Sequence, residues 1–91
     1  MNNRLEQLEK QFKKRYNRNV EICLGIRKKE VTQLIIKSPK GKEYIITEYR
    51  KNGLTDKAIV KYDNKEHKYN HYIAAELHIA DEIGEEEDGN S

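Results

Sequence analysis

Tryptophan is absent from the 91 residues, and cysteine, proline, methionine and phenylalanine occur once each. The lone Cys23 has no second thiol for an internal disulfide and no companion at zinc-site spacing, so it neither staples the fold nor suggests export. No apolar run approaches the roughly 20 residues that span a bilayer, and the opening MNNRLEQLEK lacks the apolar centre of a signal peptide. A cytoplasmic protein with no membrane partner is the expectation. Also missing are a glycine-rich phosphate loop and a serine-centred elbow. Cys23 has no histidine near it in sequence to activate it and reads as a small buried or half-buried thiol; Glu43 and Glu48, an odd number of strand positions apart, point to opposite faces. Catalysis is therefore not expected, and no cofactor is implied.

What the chain does have is charge, and the charge is segregated. Charged residues make up 37% of the sequence against 35% hydrophobic, for a net charge of only +2. All 18 lysines and arginines fall in residues 1–68, with nine acids, a balance of +9; residues 69–91 carry seven acids and no lysine or arginine, a balance of −7. Such asymmetry points to a macromolecular partner selected electrostatically.

The apolar residues recur in short periodic runs, the mark of a folded domain rather than a disordered chain. Leu5, Leu8, Phe12 and Tyr16 line one stripe of a helix over about residues 3–16, capped by Asn2 or Asn3. Its basic end, Lys13, Lys14 and Arg15 with Arg18 just beyond, suits the helix dipole and is a candidate contact for phosphate. The period then becomes two. Val20, Ile22, Leu24 and Ile26 alternate with Glu21, Cys23 and Arg27, and Gly25 marks a bulge or a close backbone approach. Strands follow over 31–37 and 43–49, separated by the turn Ser38-Pro39-Lys40-Gly41-Lys42, and a shorter fourth over 57–62 comes after Asn52-Gly53. Asp63-Asn64-Lys65-Glu66 has the spacing of a capping box, so a second helix is expected from there to Gly84. The order α-β-β-β-β-α describes an α+β domain over residues 1–84, an antiparallel sheet of three to four strands with flanking helices, followed by an acidic flexible tail over 85–91.

Tyr69, Tyr72, Ile73, Leu77, Ile79, Ala80 and Ile83 form the expected core face of the second helix, with Glu76 near its middle. A carboxylate there needs a partner such as Arg27 or a tyrosine hydroxyl. His67, His71 and His78 share the opposite side of the same expected helix; His67 and His71 have the i, i+4 spacing that can hold a metal, but His71 and His78 are too far apart for all three to grip one ion, and a solvated histidine face outweighs metal binding.

Residues 17–48 are similar to a family of small phage anti-CRISPR proteins, prophage-encoded inhibitors of Cas9. The likeness is carried by Val31-Thr32-Gln33-Leu34-Ile35-Ile36-Lys37 and, after one turn, Gly41-Lys42-Glu43-Tyr44-Ile45-Ile46-Thr47-Glu48. It implies a non-enzymatic, nucleic-acid-mimicking inhibitor in the bacterial host cell whose carboxylates occupy the Cas9 groove that reads the motif beside the target. Carried over, the contacts are Asn19, the turn residues Lys40, Gly41, Lys42 and Glu43, and the acidic run Glu85, Glu86, Glu87 and Asp88. Gly41 and Glu43 match the family pattern. Lys40, Lys42 and Asn19 stand where the family carries acids or an amide, which puts the mimicry in doubt more than the fold. The competing reading is a basic module that binds RNA or DNA through Lys13, Lys14, Arg15 and Arg18, in the manner of a small RNA-binding domain.

Overall fold

The computed structural model describes residues 3–88 and the side chains of residues 4–87. Helix α1 spans Asn3–Tyr16. Its stripe behaves as the spacing requires, with Phe12 buried and Leu5, Leu8 and Tyr16 packed against the same core. Asn17 ends the helix by turning to φ 57 while its N–H reaches the Lys13 carbonyl at 2.8 Å, a left-handed cap that asparagine tolerates.

Five strands follow: β1 Glu21–Arg27, β2 Val31–Lys37, β3 Glu43–Lys51, β4 Leu54–Tyr62 and β5 Lys65–Tyr69. They pair antiparallel in sequence order as a single meander. Helix α2, Tyr72–Asp88, closes the chain. Ile22, Leu34, Ile36, Tyr44, Ile46, Ala58 and Val60 face one way from the sheet and meet Phe12, Ala75, Ile79 and Ile83 of the helices. Both helices thus cover one face, α1 over β1 and α2 over β3 to β5. The α+β reading with helices on one side of an antiparallel sheet holds. No described helix is long and apolar enough to cross a membrane.

The fifth strand corrects the expected count of three to four and the expected start of the second helix. Asp63 at φ 52 and Asn64 at φ 61 form a two-residue left-handed turn, as Asn52 at φ 55 and Gly53 at φ 80 do one hairpin earlier. The capping-box spacing at 63–66 is therefore a hairpin, which returns Lys65–Tyr69 along β4 with His67 opposite Val60. Because α2 begins only at Tyr72, its core face is set by Ala75, Glu76, Ile79, Ala80 and Ile83. Ile73 and Leu77, expected in the core, are 53% and 46% exposed. The helix also continues past Gly84 through residues expected to form a tail.

A bulge interrupts β1 where glycine announced one. The register slips between Leu24 and Ile26, so Leu24 faces Leu34 while Ile26 faces Gln33 and Arg27 faces Thr32. A Cβ at Gly25 would come 3.3 Å from the Gln33 carbonyl oxygen, which explains glycine at this close approach. The extra residue exchanges the faces of everything after it. Ile26 moves to the open side of the sheet and Arg27 to the helix side, the reverse of the simple alternation.

Candidate interaction surface

The segments assigned to partner contact are distant in sequence but fold to one end of the domain. Asn19 and Gly41 line the same shallow depression beside Ser38 and Pro39. The β2–β3 turn is drawn tight by Ser38, whose N–H donates to the Lys42 carbonyl at 2.8 Å while its carbonyl accepts from Gly41 at 2.9 Å. The Ser38 hydroxyl accepts the Lys42 N–H at 3.1 Å, and Gly41 supplies the φ of 90 that a residue with a Cβ resists.

Glu86 fastens this turn to α2. One carboxylate oxygen accepts from Ser38 Oγ at 2.9 Å, the other from Tyr44 Oη at 2.6 Å, and its carbonyl accepts from Lys40 Nζ at 2.8 Å. Tyr44 is fully buried, and burial with the adjacent Glu86 charge pushes its hydroxyl well above the ordinary tyrosine range. Lys42 is held by Asp63 at 2.6 Å with its ammonium over the rings of Tyr44 and Tyr62, and the Asp63 contact is the main reason its pKa rises. Lys42 is thus paired with a carboxylate, and Lys40 with a backbone carbonyl, of the same end.

The remaining acids are displayed. Glu85 and Glu87 are exposed on the last turns of α2, and Asp81 is exposed one turn before Glu85. Glu87 meets Arg18 at 3.5 Å, a weak, partly solvated pair. Glu43 is exposed too, opposite Lys37 on the open face of the sheet. The Asp88 side chain and residues 89–91 of the expected tail lie outside the described residues. Asp81 is missing from the expected partner contacts because a helix taken to end at Gly84 hides the i, i+4 relation between Asp81 and Glu85.

Of the basic candidates, Lys13 and Lys14 are exposed on α1. Arg15 instead bonds Glu76 at 2.9 Å, and Tyr16 Oη donates to the same Glu76 oxygen at 2.8 Å. The buried Glu76 accordingly finds a tyrosine hydroxyl, as expected, but its arginine is Arg15 and not Arg27. Burial and the Glu76 charge raise the Tyr16 pKa. The Arg18 guanidinium lies against Gly84.

The histidines do not share a helical face. His67 comes from β5 and His78 from α2, with ring centroids 4.4 Å apart, while His71 is exposed before α2. His78 sits between two tyrosines, Tyr62 Oη at 2.8 Å from Nε2 and Tyr69 Oη on Nδ1. Burial, with His67 beside it, holds His78 below the usual histidine pKa, and burial with the Glu82 charge pushes Tyr62 up to about 12. Among the described residues no three His, Cys, Asp or Glu side chains converge as metal ligands. Cys23 is free and exposed, correcting the half-buried thiol expected for it; a position on the uncovered face of an edge strand leaves it nothing to pack under.

Comparison of the chain with family models, curated proteins and solved structures finds no match in any of the three.

Proposed function

We infer that this protein acts by binding, presenting the acidic outer side of α2 and the adjoining β2–β3 turn to a basic macromolecular surface. The observation that carries the reading is a pair of exposed carboxylates one turn apart on the outer side of α2, Asp81 and Glu85, with Glu87 on the flank beside Arg18, in a stretch with no lysine or arginine after residue 68. Such a surface attracts clustered arginines and speeds encounter with them. The resemblance over residues 17–48 names one such surface, the arginine-lined groove with which Cas9 reads DNA, and on this reading the protein keeps target DNA out of that groove. The turn is rigid before binding, because Glu86 and Ser38 brace it, so little ordering cost opposes contact.

The test is capture of guide-loaded Cas9 and inhibition of its DNA cleavage. Wild type should capture and inhibit after nuclease treatment, and Asp81→Lys with Glu85→Lys should lose inhibition while Glu6→Lys, on exposed α1, retains it. Folded protein that neither captures nor inhibits the effector ends the Cas9 reading. Capture of bulk RNA that nuclease abolishes would instead favour the basic side of α1. There Lys13 and Lys14 are exposed, whereas Arg15 is paired with Glu76 and Arg18 weakly with Glu87.

A further inference from the structure

A second feature lies on the helix side of the sheet, away from the acidic end. Helix α1 from Arg4 to Arg15 and the first turns of α2 border, with β1 to β3, a cleft of about 580 Å³. Volumes of this order hold small molecules rather than protein elements. The floor is aliphatic, from Ile22, Leu34, Ile36 and Ile46. At the mouth Leu24 and Ile73 are 43% and 53% exposed, large apolar side chains left uncovered on either side of the opening.

The charges around the cleft are unequal in a specific way. Glu76 is met by Arg15, and Glu48 by Arg50 at 3.0 Å and by Thr55 Oγ1 at 2.5 Å. Arg50 is also fixed by Thr32 Oγ1 and the carbonyls of Lys28 and Lys29, so it braces the end of the sheet and is not available to a ligand. Two arginines remain. Arg4 from α1 and Arg27 from β1 line the cleft, and neither has a hydrogen-bond or ion-pair partner among the described residues. Arg27 is there only because the bulge at Gly25 turns it to the helix side; continuous alternation would have put Ile26 in that place. An arginine delivered to the wall of an aliphatic cleft that a second unpaired arginine also lines matches an oxyanion attached to an apolar body.

We propose that this cleft binds a single-chain amphipathic anion, its alkyl chain on the Ile22–Ile46 floor and its carboxylate or phosphate head between Arg4 and Arg27. The site is independent of the acidic end and of any protein partner. The two head groups share the chemistry that the guanidinium forks recognise, and the probes separate them.

The ¹⁵N-labelled protein is titrated with sodium decanoate and, separately, with decyl phosphate, each below its micelle concentration. Decanol supplies the tail without the head, and acetate the head without the tail. Saturable shifts are expected at the amides of Leu24, Arg27, Leu34 and Ile73 with at least one of the two anions, the tighter of them identifying the head. Acetate should leave the spectrum unchanged. Arg4→Gln with Arg27→Gln should weaken anion binding about tenfold, a loss of about 1.4 kcal/mol, and leave decanol binding unchanged. Both arginines are exposed, so the variant should fold, and circular dichroism checks that it does. Three results would each overturn the proposal: no saturable shift with either anion, decanol binding as tightly as both, or shifts confined to the open face of the sheet.

Discussion

Removing Arg15 should destabilise the protein more than neutralising Glu76, although the two residues form one ion pair. The Arg15 side chain is 45% exposed and that of Glu76 only 8%. Without Glu76 the guanidinium swings into water at little cost, about 0–1 kcal/mol for a pair with one solvated partner. Without Arg15 the carboxylate keeps only neutral hydroxyls for company, Tyr16 at 2.8 Å and the half-buried Tyr72 beside it, with no cation left to balance its charge. An incompletely compensated buried charge of this kind costs about 2–3 kcal/mol. Glu76→Gln keeps the volume and an acceptor for Tyr16 while removing the charge, so about 1 kcal/mol is expected. Arg15→Ala should therefore cost more than Glu76→Gln, and the double variant should be more stable than Arg15→Ala alone. Urea unfolding followed by circular dichroism measures all three, and in a domain of this size 2 kcal/mol corresponds to about 8–16 °C in Tm. Equal single losses that simply add in the double variant would refute the reasoning, since they would mean that water reaches Glu76 as easily as Arg15.

His78 should make stability fall in mild acid. Its folded pKa lies below the unfolded value near 6.5, so the contribution is complete above that pH and is lost as pH falls through the folded value. Tyr62, His67 and Tyr69 from the sheet and Asp81, Glu82 and Glu85 from α2 surround or influence the ring, and a protonated imidazole can no longer accept from a tyrosine. Urea midpoints at pH 7.5 and 5.0 test this, and His78→Phe should flatten that part of the profile; an unchanged slope in the variant would assign the effect elsewhere. Gly84→Ala should be neutral or stabilising by up to about 0.5 kcal/mol. The added methyl displaces only the end of the Arg18 side chain and its weak Glu87 contact, while alanine gains about 1 kcal/mol of helix propensity; a loss above 1 kcal/mol in thermal unfolding would show that Arg18 is packed more firmly than an exposed pair allows.

The parts of this molecule that periodicity describes were legible in the chain, and the parts decided by chirality or by pairing were not. Leu5, Leu8, Phe12 and Tyr16 predict α1 because a 3.6-residue period has one interpretation at that length, and Gly25 inside a strand pattern signals a bulge or a close backbone approach, both of which occur there. Asp63-Asn64 is ambiguous in sequence: the same residue types cap helices and form left-handed hairpin turns, and the choice falls to β4, whose edge is left unpaired unless residues 65–69 return along it. Glu86 shows the converse error, in which composition overrode a pattern that was present. Glu76, Ile79, Ile83 and Glu86 continue one stripe of α2, and the two carboxylates on it are each met by a tyrosine hydroxyl, Tyr16 for one and Tyr44 for the other. A glutamate recurring on an apolar stripe is therefore better read as a bond to a tyrosine on the facing element than as the beginning of a tail. On that reading the acidic end is a braced surface, whose displayed charges, Asp81 and Glu85, are those that neither the bracing nor Arg18 engages.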